Sequence, residues 1–339
     1  MTGLGNFKYL WIGLFEGFAP LKNQVDLSIV IVTYHSEDYI RGCLRSVGEA
    51  ARGLSSEVIL VENASGNGTL RMVNREFPDV VVIENKKNEG YARGVNQGAN
   101  IATGQYLLIL NPDTQLNPDT LKILLNFLKN QTTDCIVGAH TIDGTGRRIP
   151  SCRSLPHIGN LTRYLVAPLL NGTGLQNPRR RLLDIWEQHE TVDVTKYDGY
   201  ISGACILTRL DFFKRMGMFD DRYFLYYEDA DMGFRIKQAG YRAFLVAEAS
   251  LVHFSGRSAA HCPWSRLYAA ESCLRYLHKN FTFRHRMVFQ PSLFILLLSW
   301  AVRAWLKGDQ TEKKVLLESL KRFIPPFLGG TPMQARDPS

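Results

Sequence analysis

From Leu27 onward the chain repeats one pattern of apolar and polar positions. A short run that is apolar throughout is followed by a stretch whose apolar residues recur at helical spacing. The runs "LSIVIVTY", "EVILVEN", "VVVIEN" and "QYLLILN" are of the first kind; "EDYIRGCLRSVGEA", "TLRMVNREF" and "ARGVNQGANIA" are of the second. Strands without a polar face need cover on both sides, and strands that alternate with helices pair in parallel. The pattern therefore predicts an α/β fold, a Rossmann-like, mostly parallel sheet flanked by helices. Further on, "LKILLNFLKN" reads as a helix and "CIVGAH" as a strand, and the irregular stretch to about Lys196 reads as a lid or binding loop. Order returns with the strand "GACILT", a helix, a glycine-containing turn and the helix start "YFLYYEDADMGFR".

Ligands of such sheets sit at the carboxyl ends of the strands. The first strand is followed by "TYHSED" and not by GxGxxG, which argues against a nicotinamide dinucleotide. After the second, "ENAS" offers the Glu62 carboxylate to a ribose hydroxyl or a base imide, or is an ordinary strand-to-turn sequence. After the third, Gly90, Gly94 and Gly98 recur through a helix start at a cost to helix stability, which predicts close approach of a neighbour or a ligand. Arg93 adds a cation suited to phosphate or base stacking. The fourth strand ends in "NPDT", where Asn111 and Asp113 either hold a divalent ion with a nucleotide diphosphate or form a simple turn. In "YFLYYEDADMGFR", the acids Glu228, Asp229 and Asp231 either cap a helix or hold a carboxylate ready for a proton. Asp231 and Arg235 are spaced for an intrahelical ion pair, and Gly240 suits the residue after the helix end.

Composition narrows the partners. The 339 residues are 45% hydrophobic, enough for a full core, and the net charge of +8 points to anionic partners. No nucleic-acid motif accompanies that charge, so nucleic acid is not expected. The six cysteines form no CxxC pair, which predicts neither a structural disulfide nor a zinc cluster. The apolar N-terminus lacks a basic start and a cleavage site, as a signal peptide would not. Near the other end, "VFQPSLFILLLSWAVRAWL" is interrupted by Pro291 and Arg303 and flanked by basic residues. That suits a segment lying in an anionic leaflet, or a buried helix with a solvated basic face.

The ordered series "VTY", "ENAS", "NEGYARGVNQG", "NPD", "SGACILTR", "GMFDDRYFLYYEDADMGFRIKQAGY" and "LVHFSG", from about Leu27 to Arg257, resembles the family 2 glycosyltransferases, and among them most the bacterial rhamnosyltransferases. The resemblance implies a GT-A fold, a dTDP- or UDP-sugar donor, Mg²⁺ or Mn²⁺, and inversion at the anomeric carbon. It places Thr33 and Glu62 at the nucleoside, and Asn88, Gly90, Arg93 and Asn96 at the donor's base and phosphates. Asp113 falls on the second acid of the DxD metal motif, with Asn111 in place of the first, and His253 falls on a histidine that completes the metal site in related enzymes. Asp229 falls on the general base, while Glu228 and Asp231 are left to the acceptor or to support. "VEN" stands where the family usually has VDN. The implied divisions are an N-terminal extension (1–26), a nucleotide-sugar half (27–115), an acceptor and catalytic half (116–257) and a C-terminal membrane-associating helical region (258–339). The implied activity is sugar transfer, rhamnose from dTDP-rhamnose first, and the basic and apolar C-terminal region directs it to a polyprenyl-diphosphate-linked or cell-envelope glycan. The implied place is the cytoplasm, peripherally on the anionic inner face of the cell membrane. A catalytically inactive nucleotide-sugar-binding scaffold is the alternative.

Overall fold

The four apolar runs become neighbouring strands. In the computed structural model, which describes residues 25–156, 190–254 and 264–282 with a few isolated positions beyond, β1 (Leu27–Thr33), β2 (Ser56–Glu62), β3 (Val81–Glu84) and β4 (Tyr106–Leu110) pair in parallel in the order β3-β2-β1-β4. Every residue of β1 and β4 is buried. Side chains alternate across a strand, so Val30 and Val32 enter one apolar core and Ile29 and Ile31 the other. Helices α1 (Glu37–Ala50), α2 (Thr69–Glu76), α3 (Tyr91–Ile101) and α4 (Thr120–Lys129) cover the sheet where their spacing predicts them. Thr33 pairs with Glu62 and Ile31 with Leu110, so three strand ends finish at one edge.

The second half departs from the mostly parallel expectation. It contains β5 (Thr114–Leu116), β6 (Cys135–Ile142), β7 (Arg148–Ile149), β8 (Cys152–Ser154), β9 (Val192–Asp193), β10 (Gly199–Ile201), β11 (Cys205–Arg209) and β12 (Arg242–His253), with helices α5 (Leu210–Arg215), α6 (Glu228–Gln238) and α7 (Ser265–Asn280). The sheet continues as β4-β11-β6-β12-β5. β11 is antiparallel to β4 and β6, β12 is parallel to β6, and β5 is antiparallel to β12. The reason is topological: β11 follows β4 only after a long excursion, so no single crossover helix forces it to run parallel. β8 and β10 form a separate two-stranded ribbon. The result is a mixed α/β architecture with a central sheet flanked by helices.

The C-terminal expectation also changes. α7 opens the region assigned to a membrane-associating tail, but Leu267, Tyr268, Leu274, Tyr276 and Leu277 are buried, and the Tyr276 ring packs beside Tyr227 and Phe234 of the domain. Its apolar face is therefore already covered. Among the described residues no helix is long and apolar enough to cross a membrane. The 288–306 segment lies outside the described residues except for two positions, as do residues 1–24 and 157–189 of the expected extension and loop. Cys43, Cys135, Cys152, Cys205 and Cys273 are free and buried, and Cys262 lies outside the described residues.

The recurring glycines serve packing. A Cβ at Gly94 would sit 2.8 Å from Val32 Cγ1, and one at Gly98 would sit 2.6 Å from Val30 Cγ1. The approach predicted from their spacing is thus to β1. Gly98→Ala should destabilise the protein by about 1–3 kcal/mol despite alanine's better helix propensity, because overpacking outweighs that gain; urea denaturation measures it.

Candidate active site

At the β2 end, the Glu62 carboxylate accepts from the Ser65 amide at 2.8 Å, and Ser65 Oγ accepts from the His35 amide at 3.0 Å. Glu62 thus ties the "ENAS" turn to the loop after β1. Asn63 donates through Nδ2 to the Gly90 carbonyl at 3.1 Å, joining this edge to the start of α3. Thr33 is fully buried and its hydroxyl donates to the Val61 carbonyl at 3.3 Å, so it supports the sheet. Asn88 accepts from the Gly90 amide at 3.0 Å in a local turn. Gly90 has a φ of 87°, and a Cβ there would lie 2.5 Å from the Phe224 carbonyl oxygen, so both conformation and contact require glycine. Arg93 pairs with Glu89 at 2.9 Å on the surface. Asn96 exchanges two hydrogen bonds with the Phe219 backbone, at 2.8 and 3.1 Å, and so clamps α3 to the loop before α6. The side chains of Thr33, Arg93 and Asn96 are thus engaged within the protein.

Two predicted ligands do meet. β5 and β12 place Thr114 opposite His253, and His253 Nε2 lies 3.1 Å from Asp113 Oδ1, with both side chains largely buried. The Asn111 amide donates to the Ala204 carbonyl at 3.0 Å, and the Thr114 hydroxyl donates to the Asn111 carbonyl at 2.7 Å, fixing the turn that aims Asp113. Among the described residues no group of three or more His, Cys, Asp or Glu is arranged to hold an ion. Asp113 and His253 meet as a pair.

Across the edge stand Glu228 and Asp229 at the start of α6. Asp229 Oδ2 accepts from the Gly203 amide at 2.9 Å, and its Oδ1 accepts from the Ala230 amide at 2.8 Å. The Gly203 carbonyl in turn accepts from the Tyr91 hydroxyl at 3.0 Å. Tyr91 therefore links the first turn of α3 to the Asp229 backbone support. Burial pushes Tyr91 well above the usual tyrosine range, and the charges of Glu228, Asp229 and Asp113 add to the effect. One phenol thus feels the acids of both sides of the site.

The two adjacent acids differ. Glu228 is 5% exposed, and its Oε2 has no hydrogen-bond partner among the described residues. Burial raises it well above the carboxylate range, and Asp229 adds to this. Asp229 is half-buried; burial raises it too, but the Gly203 amide and the charge of Arg153 pull the other way. Asp231 is fully buried and accepts from Arg235 Nε at 2.9 Å, the pair its spacing predicts.

Tyr91, Gly203 and Arg153 were not singled out by the sequence. Tyr91 and Gly203 lie inside the recognised stretches "NEGYARG" and "SGAC", which was the available signal. Arg153 lies on a three-residue strand with no motif around it.

Comparison with known proteins gives residues 28–195 their class. Residues 28–195 match the model of glycosyl transferase family 2, so the chain carries a family 2 glycosyltransferase domain. Among curated relatives it is similar to the N-acetylglucosaminyl-diphospho-decaprenol L-rhamnosyltransferase of Mycobacterium tuberculosis, with 29% identity over 72% of this chain and 80% of the relative. It is also similar to the low-salt glycan biosynthesis hexosyltransferase Agl10 of Haloferax volcanii, with 24% identity over 63% of this chain and 62% of that protein. Among solved structures, the mannosyltransferase PcManGT of Pyrobaculum calidifontis, in complex with GDP-Man and Mn²⁺, overlaps 89% of this chain and 86% of its own at 15% identity and a TM-score of 0.49.

The buried acid has a stability consequence. A carboxyl raised on folding favours the folded state below its unfolded pKa, and that advantage is lost as pH rises toward the folded value. Glu228→Gln removes the loss, so at neutral pH the melting temperature should rise by roughly 2–4 °C, the shift for about 1 kcal/mol in a domain of this size. The gain should vanish near pH 4.

Proposed function

We propose that the protein transfers a sugar with inversion from a nucleotide diphosphate sugar, rhamnose from dTDP-rhamnose first, onto a polyprenyl-diphosphate-linked glycan. The observation that carries this reading is the half-buried Asp229, held by the Gly203 and Ala230 amides, while the neighbouring Ala204 carbonyl accepts from the Asn111 amide at the turn that carries Asp113. In transfer of this kind the acceptor hydroxyl loses its proton as it attacks the anomeric carbon, and the diphosphate leaves from the opposite face. Asp229 takes that proton. Its Gly203 and Ala230 bonds fix the carboxylate's orientation, and a positioned base contributes about 10²–10⁴ in rate.

The other end of the reaction must accept growing negative charge on the leaving diphosphate. Asp113 and His253 supply one carboxylate oxygen and one imidazole nitrogen, a donor set that suits Mn²⁺ or Mg²⁺ shared with donor phosphates and water. When bound, such an ion supplies Lewis-acid stabilisation of the leaving group. Glu62 and the turn it ties form the proposed nucleoside end of the site. The name of the mycobacterial relative motivates the rhamnose donor and the lipid-linked acceptor, and the net charge of +8 suits action at the anionic inner face of the cell membrane.

A panel of labelled nucleotide sugars, with acceptor lipid and Mn²⁺, tests the reading. Transfer from dTDP-rhamnose is expected. Donor binding without transfer from any sugar would instead make the protein a nucleotide-sugar-binding scaffold. Asp229→Asn should lower kcat by about 10²–10⁴ while leaving the fold intact. Chelation should stop turnover, and added Mn²⁺ or Mg²⁺ should restore it. Arg153 lowers the Asp229 pKa, so Arg153→Met should raise it and move the acid limb of the pH–rate profile to higher pH.

A further inference from the structure

The loop that delivers Asp229 is built in a costly conformation. Tyr226 and Tyr227, immediately before α6, both adopt left-handed backbone, with φ of 69° and 70°. Non-glycine residues persist there only when their surroundings over-determine them. Those surroundings come from two directions. On one side the Phe224 carbonyl accepts from the Tyr91 amide at 2.7 Å and meets Gly90 closely.

On the other side stands α7. Ser272 Oγ donates to the Leu225 carbonyl at 2.8 Å, in the middle of the loop. The Tyr268 ring lies 4.5 Å from Phe224, and the Tyr276 ring lies 5.7 Å from Tyr227, centroid to centroid. Lys279 Nζ bridges Asp220, before the loop, and Asp231, in α6, at 2.8 Å each. Asp231 also accepts from Arg235 and, at 3.3 Å, from the Tyr223 hydroxyl. Arg235 in turn donates to the carbonyls of Met216 and Met218. One buried carboxylate thus gathers the loop, the catalytic helix and α7 into a single network.

We propose that α7 is a positioning element of the active site, acting through Ser272 and Lys279 to hold the Tyr223–Asp229 segment in the geometry that presents the base. The family match ends at residue 195 and α7 begins at Ser265, so the domain that performs the reaction extends well beyond the matched region. Lys279 and Ser272 touch neither donor nor acceptor on this reading; they act through Asp231 and Leu225. The catalytic part of the inference rests on the transferase reading, and the structural part does not.

The test uses the full-length chain with Lys279→Met, Ser272→Ala and Lys279→Arg. Amide hydrogen exchange is expected to quicken in residues 223–231 of the first two variants while β1 and β4 keep the parent's protection. With dTDP-rhamnose as donor, at a temperature where the variants remain folded, kcat should fall roughly 10- to 100-fold with donor KM nearly unchanged, the pattern of a misplaced reacting group. Lys279→Arg should recover most of that loss. Unchanged exchange at 223–231, loosening spread evenly over the domain, or a rise in donor KM that accounts for the lost activity would overturn the proposal. If Lys279→Met does not fold, the Ser272→Ala readouts decide. If the parent transfers no sugar, the transferase reading fails, and the exchange measurement still judges the role of α7.

Discussion

The structure depends on how closely α3 can lie against β1. Two glycines remove the side chains that would hold helix and strand apart, so Val30 and Val32 fill the space that Gly98 and Gly94 leave. This approach fixes the height of the α3 N-terminus above the strand ends. Gly90 then abuts Phe224, the Tyr91 amide donates to the Phe224 carbonyl, and Asn96 grips Phe219. All three contacts reach the chain that leads into α6. The position of Asp229 is therefore referred back to β1, a fully buried strand of the sheet, although the two lie far apart in sequence. Packing is dense enough that a single added methyl group is felt, which makes this a stiff route from core to site.

That route also explains what the sequence revealed and what it concealed. The first four strands and helices were legible because each is a local pattern: apolar runs for β1 to β4, helical spacing for α1 to α4. The Asp231–Arg235 pair was legible for the same reason. β11 was not, since whether "CILTR" runs parallel or antiparallel depends on the course of the preceding chain and leaves no local mark. Family likeness named the stretches, and the internal contacts of each side chain came only with the structure. Asn96 bonds to a backbone more than a hundred residues away, Thr33 is sealed inside the sheet, and Arg93 pairs on the surface. Tyr91 was hidden by its neighbours, because three glycines around one helix start attract more notice than one tyrosine. α7 was not legible as an element of the site, because its contacts are with residues 47 to 59 positions earlier in the chain and leave no local mark.

The start of α6 shows how three neighbouring acids receive three different environments. All lie in a first helical turn, where the dipole favours a carboxylate by about 0.3–1 kcal/mol. Loss of water costs a buried charge several kcal/mol, so the dipole cannot decide the matter, and the partners must. Asp231 is sealed from solvent but has Arg235, Lys279 and Tyr223. Its charge is compensated and its oxygens are occupied, which suits it to hold elements together and leaves it no room to accept a substrate proton. Glu228 is almost as buried and lacks such partners, so it is driven toward the neutral acid. Asp229 alone combines partial exposure with two amide donors and a nearby guanidinium. Of the three, it is the one that amides orient and solvent partly reaches, which is what the proposed role of general base asks of it.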